Sequence, residues 1–101
     1  MGKDLTLDQG KEAARQTGLA ILATLKDTLG SLGKVKRLVK AFGMVNCTDD
    51  FTDQPKVING FSELMNDVFG DDAGVGARSA VGHNALPNGM AVEVEAIFEV
   101  E

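Results

Sequence analysis

The 101-residue sequence lacks tryptophan and tyrosine and has one cysteine and one histidine, and these shortages exclude several classes of protein. A single cysteine cannot form an intrachain disulfide, and Cys47 with His83 is too small a ligand set for a zinc site. We therefore expect no metal site. Because no apolar run reaches a membrane span and no secretory signal core is visible, we expect a cytoplasmic protein without a membrane partner.

Positive charge is also scarce, since the sequence has ten Lys and Arg and fifteen Asp and Glu, which gives a net charge of −5. Few aromatic side chains are present to stack on bases, so a nucleic acid is not an expected partner. Basic residues do cluster at Lys34, Lys36, Arg37 and Lys40. The simplest interpretation is a solvated strand edge that discourages edge-to-edge pairing.

Local signals bound a first helix. Thr6 and Gln9 have the spacing of a capping box, which predicts a helix start near residue 7, and Gly30 predicts its end after Leu29. The predicted inner face consists mostly of small residues, so we expect this helix to lie close against a sheet. Its members are Ala14, Thr17, Ile21, Leu25 and Leu29.

A second helix is predicted after Thr52, which can cap it, with Pro55 in the first turn and Gly70 at the end. Apolar residues recur at helical spacing between these positions and should form one buried stripe. They are Val57, Ile58, Phe61, Leu64, Met65 and Val68.

Three further segments read as strands: Lys34–Val45, Ala77–Asn84 and Met90–Val100. Gly43 would mark a bulge or a close approach in the first of them. The resulting order α-β-α-β-β predicts a single α+β domain over residues 1–101, with both helices on one face of the sheet.

Asn88-Gly89 predicts a two-residue hairpin turn between the last two strands. With that register, Arg78 would share a sheet face with Glu93 and Glu95, while His83 would point toward the helices as an interior side chain. Arginine can bind a carboxylate and glutamate can position water, so this face could be a ligand site. Spacing alone favours the simpler interpretation of an exposed ladder of ion pairs, which would contribute about 0–1 kcal/mol.

Several segments together resemble the YjgF/Rid family of reactive intermediate deaminases, also known as endoribonuclease L-PSP-like proteins. They are Glu12–Ala14, Val35–Val39, Arg78–Val81, Ala85–Pro87 and Val92–Ile97. A further segment, Phe51–Gly60, resembles a less characterised subgroup of that family.

The resemblance implies a chorismate-mutase-like α+β sandwich with a small mixed sheet, assembled as a homotrimer with clefts between subunits. It implies that Arg78 grips the carboxylate of an enamine or imino acid and that Glu93 places the hydrolytic water. Ser79 and Asn84 would complete the substrate site. No cofactor is implied, and the products would be a 2-oxo acid and ammonia.

Compared with that family, the chain is expected to be N-terminally shortened, since the strands that usually precede the first helix have no counterpart. Ala80 also stands where the family often has a thiol. Two other functions therefore stay open at this point. One is a non-catalytic oligomeric module that binds a small carboxylate metabolite, and the other is a ribonuclease, which the acidic balance disfavours.

Overall fold

In the computed structural model, which describes residues 5–101, two helices pack on one face of a three-stranded mixed sheet. The predicted fold class is confirmed, although the first four residues of the predicted single domain lie outside the described residues. Neither helix in the described part is long and apolar enough to cross a membrane. The elements are α1 (Leu7–Leu29), β1 (Val35–Asn46), α2 (Gln54–Ala73), β2 (Ala77–His83) and β3 (Val92–Val100), with short 3-10 helices at Leu32–Lys34 and Pro87–Gly89.

Both ends of α1 follow the predicted local chemistry. The Gln9 backbone N–H donates to Thr6 Oγ1 at 3.2 Å, and the Thr6 backbone N–H donates to Gln9 Oε1 at 2.9 Å. At the other end Gly30 adopts a φ of 86°, and its N–H donates to the Lys26 carbonyl. The capping box and the glycine stop are confirmed, because each satisfies backbone groups that a helix end leaves free.

The predicted inner face of α1 is wrong by about one residue position. The buried positions are Gly10, Ala14, Gly18 and Leu22, whereas Thr17, Ile21, Leu25 and Leu29 are only half-buried. A Cβ at Gly18 would lie 2.8 Å from Leu64 Cδ2 on α2, so the close neighbour of this face is the other helix and not the sheet. Counting apolar residues overlooked the glycines through which the two helices approach.

Helix α2 keeps most of its predicted features. Asp53, not Thr52, occupies the N-cap position, and its side chain makes no capping hydrogen bond. Gly70 has a φ of 90° and interrupts the helix, which continues for one further turn to Ala73. The apolar stripe is buried except at its end, where Val68 is 42% exposed. The other five stripe residues belong to the central core.

The sheet order is β2-β1-β3, and this arrangement shows that the predicted hairpin is wrong. β1 pairs in parallel with β2 and antiparallel with β3, so β2 and β3 form opposite edges. Asn88 and Gly89 do adopt φ angles of 58° and 68°, as a tight turn requires. Their turn belongs to a connection that crosses the end of β1, a distance of roughly two strand spacings, or about 10 Å.

The core lies between the helices and the sheet, and α2 packs closely against β1 at Gly43. A Cβ at Gly43 would lie 2.5 Å from Ile58 Cγ1, and Ile58 is fully buried. The prediction of a close approach at Gly43 is thus confirmed. The rest of the cluster is aliphatic and aromatic, and includes Ala41, Val45, Val57, Phe61, Met65 and Val92.

Replacing Gly43 with alanine is expected to destabilise the protein by about 1–3 kcal/mol, because a β-branched neighbour cannot easily rotate away from the new methyl group. Urea unfolding would measure the loss. Gly33→Ala is the matched control, since Gly33 is exposed and its nearest neighbour is the exposed Ser31 hydroxyl. A Gly43→Ala/Ile58→Ala double variant should cost less than the sum of the single changes. Additive costs would contradict the proposed contact.

Candidate functional site

Arg78 lies on edge strand β2 and points toward α2. It is paired with Ala41 of β1, whose buried side chain faces the helices, and paired residues share a sheet face. Its Nη1 donates to Asn59 Oδ1 at 2.7 Å and to Ser62 Oγ at 3.1 Å. These two acceptors are three residues apart on α2, so one helical turn holds the guanidinium from one side.

Both acceptors of Arg78 are neutral, and the positive charge has no carboxylate partner within ion-pair distance among residues 5–101. The residue is exposed. A guanidinium carries five N–H donors in a fixed fork, and only Nη1 is engaged by the protein side chains described. The remaining donors can bind a planar anion such as a carboxylate in the bidentate manner.

The space beside Arg78 is small. Asn59, Ser62 and Arg78 line a cleft of about 190 Å³ together with the segment that enters β2. That segment, Gly74–Ala77, contributes Val75 as its only large side chain. The cleft therefore suits a small ligand, below the usual range of about 300–1,000 Å³ for drug-sized molecules.

Glu93 lies on the opposite face of the sheet from Arg78. It is paired with Met44, three positions from the Ala41 that is paired with Arg78, and side chains alternate between faces along a strand. Glu95 accompanies Glu93 on the helix-free face. The prediction that Arg78 and Glu93 share a sheet face is wrong. It depended on direct pairing of β2 with β3 in a hairpin, whereas β1 lies between these two strands.

The two predicted substrate-binding residues are also separated from Arg78. Ser79 is paired with Phe42 and so lies on the helix-free face. Asn84 follows the end of β2, six residues from Arg78, or about 20 Å along an extended chain. One chain by itself therefore does not bring the four predicted site residues together.

Cys47 and His83 differ in their exposure. Cys47 is half-buried, and its Sγ accepts a hydrogen bond from Gln54 Nε2 at 3.6 Å. His83 is exposed, and the prediction that it points to the helices is wrong for the same reason as the hairpin. From residue 5 onward, no three His, Cys, Asp or Glu side chains are grouped so that they could hold a metal ion.

Asn59 and Ser62 are the residues that sequence reasoning missed. They stand on α2 directly after the buried residues Ile58 and Phe61, respectively, and both are half-buried. Two small polar residues one turn apart beside an apolar stripe were the available signal. Without the position of β2, that signal could not show which side chain they bind.

The two helices over a mixed sheet and the arginine at its edge define a small chorismate-mutase-like α+β domain. The chain belongs to the family described as "YjgF/chorismate mutase-like, putative endoribonuclease", which it matches over residues 1–96. The predicted family is thus confirmed.

Similar proteins come from distant organisms. Protein TCP17 of Trypanosoma cruzi is 44% identical over 100 residues, which are 99% of this chain and 62% of TCP17. The crystal structure of Atu1372 from Agrobacterium tumefaciens, a protein of unknown function, superposes with a TM-score of 0.96 at 37% identity, covering 100% of this chain and 64% of that one. A "putative endoribonuclease" from Shewanella oneidensis MR-1 gives 0.92 at 27% identity, covering 98% and 65%. The chain thus spans slightly less than two thirds of each.

Removing the Arg78 side chain is expected to change stability little. Arg78→Ala should lower the free energy of unfolding by less than about 1.5 kcal/mol, because its hydrogen bonds are solvent-exposed. Ile58→Ala, which empties a core position above Gly43, should cost about 2–5 kcal/mol. Urea denaturation of both variants would test this, and equal losses would mean that Arg78 is chiefly structural.

Proposed function

We propose that the protein hydrolyses small 2-imino acids and their enamine tautomers to 2-oxo acids and ammonia. The observation that carries the proposal is Arg78, held by the neutral side chains of Asn59 and Ser62 with no carboxylate partner in the described chain. Such a guanidinium favours a small carboxylate-bearing ligand in the adjacent cleft. Membership of the YjgF family supports the reaction class.

In the proposed reaction, Arg78 binds the substrate carboxylate and thereby fixes the neighbouring imine carbon. An enamine first tautomerises to the imine. Water then adds to the C=N carbon while one of its protons passes to the imine nitrogen, which gives a carbinolamine. The hydroxyl proton of the carbinolamine passes to the amino nitrogen as the carbonyl forms and the C–N bond breaks, so ammonia leaves. Two hydrogen atoms and one oxygen atom of water are accounted for, and no electrons are transferred. Positioning a reactant and a water molecule together can by itself lower the barrier considerably.

Glu93 is proposed to orient the attacking water, but only from another copy of the chain. Its place on the helix-free sheet face prevents it from meeting Arg78 within one subunit. A homotrimer with clefts between subunits would supply Arg78 from one chain and Glu93, with Ser79 or Asn84, from its neighbour. The proposal therefore makes activity dependent on assembly.

A non-catalytic module that binds small carboxylate metabolites is the alternative function. The observation in its favour is that the polar neighbours of Arg78, Asn59 and Ser62, are not groups that exchange protons readily near neutral pH. An arginine in such a setting binds anions without activating water. Ribonuclease activity is not proposed, because a chain with a net charge of −5 offers little attraction to a phosphate backbone.

The deaminase proposal predicts that the protein accelerates ammonia release from enzymatically generated 2-aminoacrylate above the uncatalysed rate. Arg78→Ala should reduce kcat/KM by about 30-fold or more, since losing one partner of a charged pair costs about 2–5 kcal/mol. Arg37→Ala is the matched control, because Arg37 is an exposed arginine paired with Asp72. Unchanged rates in Arg78→Ala would contradict the proposal.

Binding without turnover has its own signature. A 2-oxo acid such as pyruvate should raise the melting temperature of the wild-type protein, because a ligand at about 100 times its Kd stabilises by about 2.7 kcal/mol. The shift should vanish in Arg78→Ala and persist in Arg37→Ala. A shift without any ammonia release would select the binding module. A shift that persists in Arg78→Ala would place the carboxylate elsewhere.

A further inference from the structure

Of the described residues that line the cleft beside Arg78, Val75 is the only large apolar one at the rim. It is 57% exposed, whereas the other large apolar residue of the lining, Leu38, is buried together with Ala41. Leu38 and Ala41 therefore form a fixed floor, and Val75 forms a wall at the mouth of the cleft. Arg78 follows Val75 by three residues, so this wall and the guanidinium belong to the same segment of chain.

The backbone on either side of Val75 is held in place by close packing. A Cβ at Gly76 would lie 2.5 Å from the Leu38 carbonyl oxygen, and a Cβ at Gly74 would collide with the Met65 carbonyl oxygen. Both neighbours of Val75 thus pack directly against other parts of the backbone. The side chain at position 75 can therefore be exchanged without displacing the segment that carries it.

Charge in this cleft is confined to Arg78. The other side chains that line it within residues 5–101 are apolar, apart from the neutral Asn59 and Ser62, which accept hydrogen bonds from Arg78. A ligand carboxylate can pair with the free donors of the guanidinium, but a second charge on the ligand would find no partner there. The rest of the ligand must therefore be uncharged, and it meets Val75 and the apolar floor.

The volume of the cleft sets the scale of what can lie between Arg78 and Val75. At about 30 Å³ for each water-sized group, a cleft of about 190 Å³ holds about six non-hydrogen atoms. A three-carbon 2-imino acid, with its carboxylate and imine nitrogen, is of this size. A longer side chain needs space that Val75 occupies.

We propose that Val75 is a specificity-determining residue, which limits the length of the substrate side chain next to the imine carbon. The reaction class rests on the proposed function above, whereas the size limit applies equally if the cleft only binds carboxylates. In both cases the shortest side chains fit beside Val75, and further methylene groups collide with it. One methylene group that does not fit an apolar pocket changes discrimination by about 10- to 200-fold.

Calorimetric titration of the intact 101-residue protein with straight-chain 2-oxo acids, from pyruvate to 2-oxohexanoate, would measure this limit. We expect the Kd to rise by about tenfold or more at the first chain length that no longer fits. Val75→Ala should move that step to a longer side chain and leave the Kd for pyruvate nearly unchanged, because pyruvate already fits. A step at the same chain length in both proteins, or no step in either, would overturn the proposal.

Two further variants separate the wall of the cleft from the rest of the surface. Val68 is the matched control, since it is an exposed valine on α2 that does not line the cleft. Val68→Ala should retain the wild-type step. Val75→Ile adds one methylene group to the wall and should move the step to a shorter side chain. Equal effects of Val68→Ala and Val75→Ala would refute the role of Val75.

A parallel measurement of turnover distinguishes this proposal from the proposed reaction. An amino acid oxidase would generate 2-imino acids from alanine and its longer straight-chain analogues, and their hydrolysis would be followed in the wild-type protein and in Val75→Ala. We expect kcat/KM to fall at the chain length at which binding weakens. Binding with a Val75-dependent step but without turnover would support the role of Val75 and contradict the deaminase proposal. Turnover that requires Arg78 but has the same chain-length profile in Val75→Ala would do the opposite.

Discussion

The packing of Ile58 onto Gly43 is the contact on which the rest of the structure depends. It sets how closely α2 approaches β1, since any side chain at Gly43 would collide with Ile58. Asn59 follows Ile58 on the helix and Ser62 lies one turn further, so their height above the sheet is determined by the same contact. The hydrogen bonds from Arg78 to Asn59 and Ser62 thus depend on core packing, and they would be lost if α2 moved away from the sheet.

Elements of this fold were predictable where the responsible interactions are local. The capping box of Thr6 and Gln9, the positive φ of Gly30 and the alternation along β3 all depend on residues close in sequence. The sheet order was not predictable in this way, because a strand's partner depends on contacts across the whole chain. Asn88-Gly89 forms a turn as its residue types require, yet a turn does not reveal whether its flanking strands are neighbours.

That single topological error accounts for most of what was mistaken about the site. Arg78 was identified correctly as an unusual charge, but inserting β1 between β2 and β3 reverses the face of Glu93 relative to it. Asn59 and Ser62 went unrecognised because their partner is brought to them only by the tertiary fold. The inner face of α1 was misplaced because the prediction considered apolar residues only. Glycine is not counted among them, although it permits close packing of the two helices.

The antiparallel pairing of β1 with β3 joins Val35 to Val100, so it closes a loop that contains α2 and β2. Folds dominated by such non-local pairs form slowly, because closing a long loop costs entropy before its contacts are made. During synthesis β1 can pair with β3 only after β3 has left the ribosome, and the edge of β1 that faces β3 stays unpaired until then. In that interval the nascent chain is exposed to misassociation.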